Sequence, residues 1–145
     1  MTPAGSNPID VLDEAASWEE LARHEVGRLA VVFAGAPEIF PINYVVDADT
    51  LVFRSAEGSK LLAATIGGKA AFEVDRWDAA SGISVVAHGT LRELDDPDEI
   101  AYAAALPLRP WVGTIKAHFL CLTVTEITGR TFTFGDAPED FAQLG

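Results

Sequence analysis

Residues 51–60 combine an apolar beginning with hydrogen-bond donors and positive charge, in the order Leu-Val-Phe-Arg-Ser-Ala-Glu-Gly-Ser-Lys. Arg54 offers a planar fork of donors, Lys60 a compact positive charge, and Ser55 and Ser59 hydroxyl groups. These groups suit a phosphate, and a helix starting near Ser59 would direct free backbone amides to the same place. The same pattern also fits solvated surface charges and an ordinary serine helix cap. The segment is therefore a candidate phosphate site with a structural alternative.

A second candidate site is the run Pro41, Ile42, Asn43 and Tyr44, in the middle of an otherwise apolar strand. Proline cannot donate to a sheet ladder, and a buried asparagine needs hydrogen-bond partners. One interpretation is an edge strand with a polar side. The other is that the backbone and Asn43 meet the polar edge of a planar ring.

The remaining reactive residue types give weaker signals. Trp111 can stack on a flat ligand or plug one end of a barrel. The histidines, His24, His88 and His118, have no metal-ligand spacing, so we predict no metal site. Cys121 lies in an apolar alternation and is expected to be buried and inert. No residue is a compelling general acid or base, so the sequence assigns no catalytic residue.

The composition indicates one domain that does not bind nucleic acid. The 145 residues include 10 basic and 22 acidic side chains, a net charge of −12 that repels a nucleic-acid backbone. No apolar run approaches the roughly 20 residues of a membrane span, and the start lacks a secretory signal, so we expect a cytoplasmic protein. We expect a flexible segment at 1–16, one domain at 17–135 and an acidic tail at 136–145.

The pattern of apolar residues, turn residues and caps predicts short strands with few helices. A capping box at Ser17 predicts a helix through about Glu25. Further helices are predicted from Ser59 to about Ile66 and, with proline in its first turn, from Asp96 to about Leu106. The predicted strands are 28–33, 38–46, 51 to 54 or 55, 70–75, 83–91, 118–125 and 130–134.

Six or seven closely spaced strands favour a mainly β fold, an antiparallel barrel with few short helices. Closing the sheet removes free edges, and a barrel of this size fills its interior with side chains. A sizeable ligand must then lie outside the barrel, most economically in a groove completed by a second copy. A homodimer is the resulting conjecture.

Several segments occur in a familiar order, and together they resemble a known family. They are Gly27-Arg-Leu-Ala, Pro41-Ile-Asn-Tyr, Val52-Phe-Arg-Ser-Ala-Glu-Gly-Ser-Lys, Phe72-Glu-Val-Asp, Ser84-Val-Val-Ala-His-Gly and Thr128-Gly-Arg. The ordered set, from about residue 18 to 134, resembles the pyridoxamine 5′-phosphate oxidase-like family of FMN-binding split barrels.

The resemblance implies a dimer that binds FMN in a groove at its interface. It implies that the segment from Phe53 to Lys60 holds the phosphate, through Arg54, Ser55, Ser59 and Lys60. It also implies that the strand from Pro41 to Tyr44 runs along the isoalloxazine ring and that Trp111 reaches the ring from the partner chain.

One departure from the family pattern affects the expected activity. Pyridoxamine phosphate oxidases carry a C-terminal segment with arginine and histidine that grips the substrate phosphate, whereas residues 133–145 contain neither. The pattern is more similar to the branch of flavin reductases, nitroimidazole-resistance proteins and deazaflavin-dependent reductases. We therefore expect an FMN-dependent oxidoreductase of unknown substrate.

Two alternatives to that function remain open. The first is a deazaflavin-dependent reductase, in which Arg76, Arg109 and Lys116 would meet the longer acidic tail of the coenzyme. The second is a non-catalytic flavin- or haem-binding protein, because a fold alone does not establish turnover.

Overall fold

The computed structural model describes residues 8–56, 68–108 and 117–135, which form seven strands and two helices. In chain order the elements are β1 (Ile9–Leu12), α1 (Glu14–Leu21), β2 (Val26–Phe33), β3 (Ala36–Asp47), β4 (Thr50–Ala56), β5 (Lys69–Trp77), β6 (Ser81–Glu93), α2 (Pro97–Ala105) and β7 (Ala117–Thr133). The helix predicted from Ser59 to Ile66 lies outside the described residues. Neither α1 nor α2 is long and apolar enough to cross a membrane.

The strands form an antiparallel sheet that closes on itself. Their order is β1-β7-β4-β3-β2-β5-β6, and β6 also pairs with β7. The 17 residues of β7 border β4 near the start of the strand, β1 near its end, and β6 along most of its length. Closure pairs strand edges that would otherwise be open. The predicted mainly β split barrel is confirmed.

Alternating side chains from the strands fill the barrel. Along β2 and β5, buried residues alternate with partly exposed ones, as expected where one face of each strand meets the core. The Phe72 ring packs against those of Tyr44 and Phe53, with centroids 4.5 and 5.3 Å away. These aromatic rings occupy the interior, so a sizeable ligand has to bind outside the barrel wall.

Helix α2 covers part of the outer surface of β4 and β7. The Asp96 carboxylate caps the helix by accepting from the Asp98 amide at 2.9 Å, and Pro97 lies in the first turn, so the predicted start is confirmed. Beneath the helix is an apolar cluster outside the barrel, formed by Val52, Leu94, Ala103, Phe119 and Cys121.

The start of the chain differs from the expected flexible segment at 1–16, because it includes β1 and the first residues of α1. β1 pairs with the end of β7, where Ile9 lies opposite Phe132 and Leu12 opposite Gly129. The partner strand is more than 100 residues away, which explains why the local sequence did not reveal β1. Residues 136–145, the predicted acidic tail, lie outside the described residues.

The capping box at Ser17 is also wrong, because α1 begins at Glu14 and its N-cap is Asp13. The Asp13 carboxylate accepts from the Ala16 amide at 2.7 Å, while the Ser17 hydroxyl, one turn into the helix, donates to the Asp13 carbonyl at 2.9 Å. Ser17 is completely buried.

The two strands predicted at 118–125 and 130–134 are one continuous strand, β7. Gly129 lies in the gap between the two predicted ranges. It is paired within the strand, and a Cβ at this position would lie 2.5 Å from the Ser17 hydroxyl oxygen. The glycine therefore permits the close approach of α1 to the barrel.

Candidate functional site

The paired ends of β4 and β7 connect directly to the two segments that carry predicted ligand-binding residues. In the register, Arg54 lies opposite Phe119, Ser55 opposite His118 and Ala56 opposite Ala117. Residues 57–60 follow β4, and the segment with Trp111 precedes β7. Ser59, Lys60 and Trp111 themselves lie outside the described residues.

β3 and β4 separate beside Arg54. Their ladder runs from Asp47 opposite Thr50 to Tyr44 opposite Phe53 and ends there, while β4 continues along β7. Residues 36–43 of β3 pair with β2, and no described strand pairs with their other edge. The described β3–β4 ladder therefore ends beside Arg54, next to backbone groups of β3, and we call this ladder end the opening.

Strand alternation sets which predicted residues face that opening. Ile42, Tyr44 and Phe53 are buried in the core, so their side chains belong to the barrel interior. Asn43 and Arg54 are the first residues beyond the last ladder pair, and alternation places both side chains on the outer face. The Arg54 guanidinium carbon lies 6.0 Å from the Phe119 ring centroid, which is cation–π range.

Tyr44 and Asn43 are tied to the loop that joins α1 to β2. The Tyr44 hydroxyl donates to the Leu21 carbonyl, and the Tyr44 amide donates to the Glu25 carbonyl at 3.1 Å. Burial, aided by the negative charge of Glu20, raises the pKa of Tyr44 far above its ordinary value. Asn43 Nδ2 makes a long contact of 3.5 Å with the same Glu25 carbonyl. Tyr44 is therefore a structural residue whose side chain points away from the opening.

A charged cluster next to β3 was missed by the sequence reasoning. Arg28 lies opposite both Pro41 on β3 and Glu73 on β5. Its guanidinium contacts the carboxylate of Glu73 at 3.0 Å and that of Asp75 at 2.6 Å. We call Arg28, Glu73 and Asp75 the Arg28 cluster. The alternation in Phe72-Glu-Val-Asp75 was the available signal, because it places both acids on one face of β5.

The pKa values of the two carboxyl groups in the Arg28 cluster are shifted in opposite directions. Burial, followed by the hydrogen bond and charge of Asp75, raises the pKa of Glu73 to about 7. Hydrogen bonds with Glu73 and Arg28 lower the pKa of Asp75. The cluster therefore holds a proton on Glu73 at pH values where an ordinary glutamate is ionised.

Glu20 is a second charged group that sequence reasoning missed, and only 4% of its side chain is exposed. It accepts two hydrogen bonds from Arg76, at 2.7 and 3.0 Å, and a contact of 2.8 Å joins it to His24 Nε2. The hydrogen bond from Arg76 is the largest influence that lowers the pKa of Glu20. This carboxylate ties α1 to β5.

The other histidines and the cysteine take ordinary positions. His118 Nδ1 lies 3.2 Å from Glu93, and His88 sits at a register shift in β6. Cys121 is buried as predicted, and burial raises the pKa of its thiol. Within the described ranges, no three histidine, cysteine or acidic side chains are grouped to hold a metal ion.

Three comparisons with known proteins agree with this architecture. A protein of Corynebacterium glutamicum, provisionally a pyridoxamine 5′-phosphate oxidase, is 37% identical with a TM-score of 0.82, over 90% of this chain and 98% of that one. The FAD-binding protein of Mycobacterium smegmatis is 35% identical with a TM-score of 0.75, over 86% and 98%. An uncharacterized protein of Mycobacterium tuberculosis is 37% identical over 95 residues, which are 66% of this chain and 86% of that one. The family model described as pyridoxamine 5′-phosphate oxidase matches residues 13–131, and this chain belongs to that family.

Proposed function

We propose that this protein is an oxidoreductase that uses a flavin nucleotide, with FMN as the smallest ligand that the site accepts. The observation that carries the proposal is the end of the described β3–β4 ladder, which lies beside Arg54 and next to the backbone of residues 36–43. A planar ring with polar edges can hydrogen-bond to such an edge, while a phosphate attached to it meets the arginine. The FAD-binding relative from Mycobacterium smegmatis supports the same class of ligand.

The residues of this chain would bind and orient the flavin. In the proposal, Arg54 and Ser55 act with Ser59 and Lys60 on the phosphate, and these cations offset the repulsion from a net charge of −12. Along the ring, Pro41 and Asn43 contribute outer-face groups, whereas Ile42, Tyr44 and Phe53 have buried side chains and hold the two strands in position.

The bound flavin would supply the hydride or electron transfer. The protein would exclude water from the ring and fix its orientation, and we assign no side chain of this chain to proton transfer. The substrate is a small molecule that approaches the exposed face of the ring.

A homodimer is part of the proposal. The tip of the β2–β3 hairpin exposes the apolar side chains of Val32, Phe33 and Ile39. Apolar groups that lie together on a surface favour contact with another protein. A second copy on this side would cover them, and in the proposal Trp111 of that copy contacts the flavin ring.

Titration of the purified protein with FMN, by quenching of flavin fluorescence, tests the proposal. We expect a dissociation constant in the micromolar range or below, and about a hundredfold weaker binding for the Arg54→Ala, Lys60→Ala variant, which removes two charge-assisted contacts. An Arg23→Ala, Arg130→Ala variant makes the same change in net charge at exposed positions and should bind normally. Equal losses in both double variants would show that only the net charge matters.

Two other functions predict different results in this titration or in a turnover assay. A deazaflavin-dependent reductase would prefer the deazaflavin coenzyme over FMN. A flavin- or haem-binding protein without turnover would bind its ligand but fail to pass electrons from a reduced flavin to any acceptor. Absence of all flavin binding would refute the proposed function.

A further inference from the structure

A cleft of about 360 Å³ lies between α2 and the outer surface of β4 and β7. We call it the α2 cleft. Its floor is apolar and consists of Val52, Leu94, Ala103 and Cys121. Its rim is polar and consists of Asp47, Thr50, Arg92, Asp98, Glu99 and Tyr102. An apolar floor with a few polar groups around it, at this volume, is typical of a small-molecule site.

The polar groups of the rim combine donors with an excess of acceptors. Arg92 Nη1 lies 2.9 Å from Glu99 Oε2, and the Tyr102 hydroxyl donates to Asp47 Oδ1 at 2.9 Å. With Asp98, the rim has three carboxylates and one guanidinium, which leaves two net negative charges. Such a rim repels a phosphate and favours a flat ring that carries an amino group.

The cleft lies on the same face of the barrel as Arg54. Val52 on the cleft floor and Arg54 are two residues apart on β4, so their side chains point the same way. Their partners on β7 are Cys121, also on the floor, and Phe119. Two residues of a strand span about 7 Å. The distance along β4 from Arg54 to Val52 on the cleft floor is therefore about the length of a nucleotide's sugar.

We propose that the α2 cleft is the adenosine site of a bound FAD, so that the protein prefers FAD to FMN. This inference rests on the proposed function, in which Arg54 meets the flavin phosphate. FAD extends FMN by an AMP group, and its pyrophosphate would lie near Arg54 with the adenosine directed along β4. The adenine face packs on the apolar floor, and the adenine amino group donates to rim carboxylates. Arg92 can donate to a ring nitrogen, while the Tyr102 hydroxyl, which donates its proton to Asp47, can accept from the amino group.

The charge pattern also determines which part of FAD would lie in the cleft. Negative charge around the cleft keeps phosphate groups out, while Arg54 attracts them two residues further along the strand. A neutral purine with an exocyclic amino group is the part of FAD that tolerates the acidic rim. The opposite orientation would place the pyrophosphate against three carboxylates.

Calorimetric titration with FAD and with FMN tests the inference by a readout that does not depend on activity. We expect FAD to bind about tenfold more tightly than FMN, the effect of one additional well-packed contact region. Thr50→Trp, at a half-exposed strand position that tolerates a large aromatic residue, fills the cleft and should abolish this preference while FMN affinity is kept.

A second variant tests the rim of the α2 cleft and leaves β4 unchanged. Tyr102→Ala, at a helix residue that is 58% exposed, should weaken FAD binding several-fold and leave FMN binding unchanged. Trp77→Ala is the matched control, because this aromatic residue is 74% exposed and lies outside the cleft. It should alter neither affinity.

The adenosine site and the proposed function would be refuted by different results. Equal affinity of the native protein for FAD and FMN, or an unchanged FAD preference in both cleft variants, would overturn the adenosine site and leave flavin binding intact. Binding of neither flavin would refute the proposed function, and the adenosine site with it.

Discussion

The Arg28 cluster and the α2 cleft are both charged regions on the outer wall of the barrel, but their charges are arranged differently. In the Arg28 cluster, one guanidinium lies within 3.0 Å of two carboxylates, and a raised pKa lets Glu73 keep a proton. In the α2 cleft, three carboxylates face one guanidinium around an apolar floor. The charges of the Arg28 cluster are nearly balanced within the chain, whereas a rim with two excess negative charges around an apolar floor favours a ligand.

Replacing Glu20 should have the largest effect on stability, because this buried carboxylate, like the Arg28 cluster, is paired with charged groups of the same chain. Glu20→Ala removes the hydrogen bonds that Arg76 and His24 make to a buried carboxylate, and we expect a loss of about 1.5–3 kcal/mol in the free energy of unfolding. Urea unfolding at pH 7 measures this loss. Glu19→Ala, on the same helix but 74% exposed, is the control and should change stability by less than about 0.5 kcal/mol.

The pH dependence of stability in the native protein and in Glu20→Ala gives a second test. The pKa of Glu20 is lowered in the folded state, so its contribution is present above the unfolded value of 4.5 and is lost as the pH falls below it. The difference between the native protein and Glu20→Ala should therefore shrink in acid. A difference that stays constant down to about pH 3 would contradict the ion-pair explanation.

The next effect in size is expected at Arg28. Arg28→Met places two carboxyl groups side by side without a cation, and we expect a loss of about 1–2 kcal/mol at pH 7, reduced by the partial exposure of all three groups. Adding Glu73→Gln should restore much of the stability, as thermal unfolding will show. No recovery in the double variant would mean that Arg28 acts by packing its side chain.

Glu73→Gln alone should change how stability depends on pH. Because the pKa of Glu73 is raised to about 7, the folded native protein holds a proton that the unfolded chain releases above 4.5. This group therefore lowers stability as the pH rises from 4.5 to about 7, by about 1 kcal/mol once partial exposure and the opposite shift of Asp75 are allowed for. The variant should lack this decline in unfolding midpoints across that range. An identical slope in both proteins would place the proton elsewhere.

The smallest effect on folding is expected in the α2 cleft. Arg92→Gln removes a pair whose side chains are about half exposed, so the free energy of unfolding should fall by no more than about 0.5 kcal/mol. Urea unfolding beside Arg28→Met compares the two regions directly. If Arg92→Gln were the more harmful change, the cleft would be a structural region and the contrast between the two surfaces would be lost.

The sequence predicted the parts of the fold that local signals encode. Asp96-Pro97 marked the start of α2, and alternation marked most strands. It failed where a distant contact decided the outcome. β1 exists because it pairs with β7, and Gly129 continues β7 where α1 approaches the barrel. Asp13 and Ser17 both suit a helix cap, so only the packed position of α1 distinguished them.

The candidate site also has features that the sequence predicted and features that it did not. The residue types at Arg54 and Pro41 were sufficient to predict a ligand, and in the structure both segments lie where the described β3–β4 ladder ends. Sequence reasoning missed the Arg28 cluster and the α2 cleft. The Arg28 cluster combines residues of β2 and β5, and the α2 cleft is lined by residues of β3, β4, β6, β7 and α2. No local pattern connects residues of different elements.

The sequence by itself determined the mainly β composition, the turns and the helix cap at Asp96, because these depend on neighbouring residues and on the alternation of side chains. It also determined the family, through an ordered set of short segments. Only the tertiary structure decided where β3 and β4 separate, which charges neutralise each other, and where an apolar floor meets an acidic rim. These features depend on the register between strands, and closure of the sheet fixes that register across the whole chain.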